Sequence, residues 1–124
     1  MAATFLIATA LLAQSATTVT AVPPGADHVD VGYSELSSGQ PARAIEVIRA
    51  NDDLSSDDPA ALINLGSAYA MLGDKAKARE CYRAAIISDE RYELQLANGS
   101  WMDSRRAARV AVDMLASGRT LALR

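Results

Sequence analysis

The chain has 124 residues, half of them hydrophobic, with 12 basic and 15 acidic side chains and a net charge of −3. That length holds one small domain. The isoelectric point near 5.0, with no aromatic–basic interleaving, argues against nucleic acid as a partner. A single cysteine, Cys81, excludes an internal disulfide, so the fold must hold by packing alone.

The chain opens on a segment unlike the rest. Residues 4–13 read TFLIATALLA, an apolar run of signal-peptide length. Gln14, Ser15, Thr17, Thr18 and Thr20 dilute it too soon for a bilayer span, which needs about 20 mostly apolar residues. Small residues at Val19-Thr20-Ala21 supply a cleavage site and Ala13-Gln14-Ser15 a second, although no Lys or Arg precedes the run. The expectation is a signal peptide over residues 1–21 and an exported, periplasmic product. An uncleaved amino-terminal anchor is the rival, and only then would the protein meet a membrane. No Cys follows the run to carry a lipid, and residues 22–26, with Pro23-Pro24-Gly25, read as a linker.

From there the sequence repeats itself at a spacing of 34. Gly32, Gly39, Ala42 and Ala44 meet Gly66, Gly73, Ala76 and Ala78, and Glu46, Arg49 and Ala50 meet Glu80, Arg83 and Ala84. Such a period marks stacked helix–turn–helix units, because one hairpin cannot bury its apolar face alone. The units span residues 27–58 and 59–91. The first helix of the first unit is expected to start near Asp27 and His28. In the second unit Asp58 caps and Pro59 opens a helix, Gly73 ends it, and Asp74 caps the next.

Residues 92–118 break the pattern. Tyr92, Leu94 and Leu96 alternate with polar or small neighbours at strand period, and Asn98-Gly99 is a strong hairpin signal. A two-residue loop sets Leu96 opposite Trp101, with Trp101 as a core anchor; a third all-helical unit is the competing reading. Asp103 reads as an N-cap for a helix closed by Gly118, with an apolar stripe of Ala107, Val110, Ala111, Met114 and Leu115. Residues 119–124 (RTLALR) read as a frayed tail. The fold class is therefore mainly α, a short α-solenoid of two repeats followed by a β-hairpin and a capping helix.

The second unit carries Leu62, Leu65-Gly66, Tyr69, Gly73, Ala78, Tyr82 and Ala85. On these residues it resembles the tetratricopeptide repeat, with Leu62 for the family's Trp and Glu90 for its late Pro. The first unit is a looser copy, with Glu35 in place of an aromatic and Asn51 in place of a small residue. The resemblance implies a concave groove lined by the first helix of each unit, taking a protein or peptide partner. Ala60, Ile63, Asn64, Ser67, Ala70 and Met71 would line it, with Val29, Asp30, Tyr33 and Ser37 from the looser copy. Of the Lys and Asn set with which some members clamp a peptide carboxylate, only Asn64 is present.

Charge is lopsided. Before Pro59 there are eight acidic residues against two basic, and from Pro59 onward seven against ten. Arg105, Arg106 and Arg109 concentrate the positive end and could meet an anionic group, though a solvated helix face explains them as well. The same polarity would allow weak, salt-sensitive self-association, so a self-assembling structural protein is the alternative function. No catalytic set is present: His28 is the only histidine, no glycine-rich phosphate loop occurs, and no Cys/His spacing suits a metal. The acid pairs Asp52-Asp53 and Asp57-Asp58 fit capping and solubility. The expectation is a non-enzyme without cofactor or metal.

Overall fold

The computed structural model describes residues 30–124. The expected leader and linker, with His28 and Val29, lie outside the described residues. The chain runs α1 (Tyr33–Ser37), α2 (Pro41–Ala50), α3 (Pro59–Met71), α4 (Lys75–Ile87), β1 (Glu93–Gln95), β2 (Trp101–Asp103) and α5 (Ser104–Ala116). Helices α1 and α2 pair, α3 and α4 pair, α2 stacks on α3, and α5 packs on α4. The architecture is mainly helical with one small antiparallel hairpin, as the sequence indicates.

The period of 34 appears as one crossing built twice. A Cβ placed on Gly66 would lie 2.6 Å from Tyr82 Cε1 and 3.0 Å from the Ala78 carbonyl. One placed on Gly32 would lie 3.2 Å from Ile48 and 3.4 Å from the Ala44 carbonyl. Ile48 thus fills the place that the Tyr82 ring fills in the second pair. The two pairs differ at their starts. Among the described residues helix α1 begins at Tyr33, after Gly32 at φ 74°; the expected start near Asp27 lies outside them. Asp30 Oδ1 accepts the Gly32 N–H at 2.9 Å and Asn51 Nδ2 donates to the Asp30 carbonyl at 3.0 Å. Both bonds hold this stretch in a turn, and they give the unexpected Asn51 its role.

Local capping follows the sequence closely. The Asp58, Asp74 and Asp103 carboxylates accept the N–H groups of Ala61, Lys77 and Arg106 at 2.8, 3.1 and 3.2 Å. Each satisfies a backbone donor that has no partner inside its helix. Helix α5 buries Ala107, Ala108, Ala111 and Leu115, with Val110 and Met114 only half-buried. Its inner stripe is therefore turned slightly from the expected one.

The hairpin forms, in a different register. Gln95 pairs with Trp101 and Leu94 with Met102. The Leu96 N–H donates to the Ser100 carbonyl at 2.8 Å. The loop is therefore Ala97-Asn98-Gly99, and only Gly99 (φ 84°) has positive φ. A turn closed by a left-handed glycine is the usual three-residue loop. The extra loop residue moves Trp101 to the outer face, because strand side chains alternate. Trp101 is 64% exposed and is not a core anchor. Met102, facing Leu94, packs against the core instead.

Two substitutions check this register. Gly99→Val should cost about 1–2 kcal/mol, since a β-branched residue resists the left-handed region. Trp101→Ala, at an exposed site, should shift stability by no more than about 0.5 kcal/mol. Urea unfolding of both variants measures the difference; a large loss at Trp101 would contradict the observed register.

Candidate peptide-binding face

Helix α3 is buried nearly all round: nine of its 13 residues are buried. A helix lining an open groove would keep a wet stripe. Of the expected groove residues, Ala60, Ile63, Asn64 and Ser67 are at most 5% exposed. Ala70 is half-buried, and Met71, at the end of the helix, is 42% exposed. Something covers this face, and it is the chain itself.

The cover is the segment expected to be a frayed tail. Helix α5 ends at Ala116 with Ser117 as its C-cap, Gly118 (φ 71°) follows, and the chain then returns across α3 to a single bridge at Leu123. Leu123 is fully buried in the main core, and Ala122 packs against a small cluster of Leu36, Ala44 and Ala68. Leu123 also bridges antiparallel to Leu96, and the Arg124 N–H donates to the Gln95 carbonyl at 3.0 Å. The hairpin is thereby extended on its β1 side. Full burial of Leu123 and partial burial of Leu121 against a preformed apolar face override the usual fraying of chain ends.

Asn64 is the centre of the arrangement. Its Oδ1 accepts the Leu123 N–H at 2.8 Å, and its Nδ2 donates to the Leu123 carbonyl and to the Val31 carbonyl, each at 2.8 Å. One carboxamide thus reads both backbone groups of a strand residue, as a neighbouring strand would. Ser67 Oγ donates to the Leu121 carbonyl, which leaves the Tyr82 hydroxyl to donate to Ser67 at 3.0 Å. The Arg124 guanidinium lies 5.2 Å from the centre of the half-buried Tyr33 ring. Tyr33, Asn64 and Ser67 are therefore brought together by the returning segment, and Ile63 is buried in the main core. Asp30 and Ser37 are exposed and bonded locally, Asp30 to the Gly32 N–H and Ser37 to the Ser34 carbonyl within α1.

The arginine cluster divides. Arg105 is half-buried and donates to the Ser88 carbonyl at 3.2 Å, tying α5 to the end of α4. Arg106 and Arg109 are exposed. An open cleft of about 350 Å³ lies between the pairs instead, lined by Ile48, Leu54, Leu62 and Leu65 among others. Among the described residues, no group of three His, Cys, Asp or Glu side chains could hold a metal ion. No helix among them is long and apolar enough to cross a membrane.

Burial raises three acidic protons. The Tyr82 hydroxyl is pushed up by burial, and Tyr92 by burial and by its bond to the Asp58 carboxylate. The half-buried Cys81 thiol is raised by burial and by the Glu80 charge. Cys81 packs beside the core as a small apolar side chain does.

Residues 59–92 match the family model described as tetratricopeptide repeat. The chain carries a tetratricopeptide repeat. The match covers α3, α4 and the start of the hairpin segment, so the helix that holds the tail belongs to the repeat itself. Neither the curated proteins nor the solved structures yield a match. Outside the repeat, sequence reasoning missed Leu121, Leu123 and Gln95. Two signals could have found them: the scarcity of polar residues around α3, and the alternation Leu121-Ala122-Leu123.

Removing the Asn64 carboxamide should be costly. Each buried backbone group left unpaired costs about 1–3 kcal/mol, so Asn64→Ala should lose at least about 2 kcal/mol by denaturant unfolding. A second expectation concerns pH. In the unfolded chain the Cys81 thiol and the tyrosine hydroxyls ionise near 9.0 and 10.0, whereas the fold holds their protons to higher pH. The unfolded state then binds fewer protons, so stability is full below about pH 9 and falls as pH rises past it. Melts between pH 8 and pH 11 should show this decline, and Tyr92→Phe should make it shallower.

Proposed function

We propose that the protein is a small exported interaction module that holds an extended segment of a protein partner on the concave face of α1 and α3, without turnover. A tetratricopeptide repeat is in general a protein–protein interaction module, and one observation carries the narrower reading. The Asn64 side chain engages both the N–H and the carbonyl of a single extended residue. Recognition through main-chain groups suits any strand, while the pocket around Leu123 adds a preference for an apolar side chain. Arg106 and Arg109 are exposed and would favour a partner with acidic residues nearby. Export rests on the apolar run at residues 4–13 and the small residues at Val19-Thr20-Ala21.

Photo-crosslinking in cells tests the location of binding. A crosslinking residue at Met71, on the rim of the face, should give protein adducts, and one at Arg83, on the outer side of α4, should give few. Equal yields at the two positions would overturn the concave-face reading. Amino-terminal sequencing of the same adducts should start at Val22 if the leader is removed at Ala21.

A further inference from the structure

We infer that residues 121–124 are a detachable ligand of their own module. On this inference a partner docks by replacing them with an extended segment of the same pattern: large apolar, small, large apolar, basic. The inference rests on the concave-face reading and adds its specificity and its control. The four positions are distinguishable. Leu121 offers its carbonyl to Ser67 with its side chain half-buried. Ala122 sits against Leu36, Ala44 and Ala68, where two of three neighbours are alanines and a small residue fits. Leu123 is enclosed, with 0% exposure. Arg124 is exposed and stands over Tyr33.

The manner of attachment argues for detachment. Arg119 is exposed and Thr120 only half-buried, and the Arg119 N–H bond to the Met114 carbonyl at 3.0 Å belongs to the end of α5, so a short connector links the helix to the returning segment. The main-chain bonds that hold Leu121, Leu123 and Arg124 run to the Ser67 and Asn64 side chains and to the Gln95 carbonyl. Any extended backbone can make them. Departure of the strand leaves α1 to α5 connected as before and exposes a row of polar groups set at strand spacing. A tethered strand acts at an effective concentration on the order of millimolar. A free peptide with micromolar affinity therefore binds the closed protein roughly 100-fold or more weakly.

The test uses the full chain and a fluorescent peptide of sequence TLALR, read by anisotropy. Leu123→Asp expels the strand by placing a charge in the apolar pocket. Peptide binding to this variant at least about tenfold tighter than to wild type is expected. Equal binding to both proteins overturns the self-blocking and leaves the concave-face reading standing. A folded variant, checked by circular dichroism, that binds no peptide overturns both. Concentration-dependent dimers of the wild type, lost in Leu123→Asp, would mean that the strand is exchanged between copies and would overturn its role as a cis ligand. Hydrogen exchange on the wild type decides the matter even if Leu123→Asp unfolds. The Leu123 and Arg124 amides should exchange at least about tenfold faster than the buried amides of α3, because they open locally. Exchange only at the rate of global unfolding would make the strand a permanent part of the core and overturn the inference.

Discussion

A single carboxamide organises this fold. Asn64 has no exposure, and its three hydrogen bonds join the stretch before α1, the middle of α3 and the returning strand. A buried amide is costly unless its groups are satisfied. In the closed form Val31 and Leu123 together satisfy it. The apolar cover follows from this constraint. With Leu123 placed, its side chain closes the space beside Leu96, and the hairpin acquires a partner on its β1 side. Ser67 and the Tyr82 hydroxyl continue the polar line one helical turn further along, so that no polar group on that face of α3 is left dry.

Around this centre the repeat supplies the frame. Gly66 lets the Tyr82 ring lie against the α3 backbone, and Gly32 does the same for Ile48 in the looser pair. The smaller side chain in the first pair goes with a shorter helix. With α1 reduced to five residues there is less to support, and Asn51 ties the preceding turn where an α-helix would otherwise have supplied the bonds. The aromatic position of the repeat holds Tyr69, whose ring lies 5.2 Å from the Lys77 ammonium and whose hydroxyl meets Arg49. The corresponding Glu35 can fill no such place.

Much of this was legible in the amino-acid order because it is local. Caps at Asp58, Asp74 and Asp103, the stop at Gly73 and the close crossing at Gly66 each depend on residues within one hairpin of helices. The strand after Tyr92 was legible for the same reason, since period-two alternation is a property of neighbours. What failed depended on partners far away. The hairpin register turned on a single loop residue that Asn-Gly does not determine, and Trp101 changed face with it. The turn before the first helix is held by a bond from Asn51 to Asp30, 21 residues apart. The tail was misread because its binding site lies about 60 residues earlier in the chain. Ile63, Asn64 and Ser67 were expected to line an open groove; they are buried, and Asn64 and Ser67 hold the chain's own residues 121 and 123, which was not foreseen.

The return of Leu123 to Asn64 also changes how the protein folds. Stacked repeats ordinarily contact only their neighbours, so that folding spreads from one unit to the next. Here a bond spanning 59 residues closes the stack on itself. Contacts of such length raise the contact order and slow the final step. During synthesis the helical pairs can form early, whereas the concave face stays open until residue 123 has emerged. In that interval any passing extended chain meets an uncovered α3, and the speed with which the strand returns decides how long that exposure lasts.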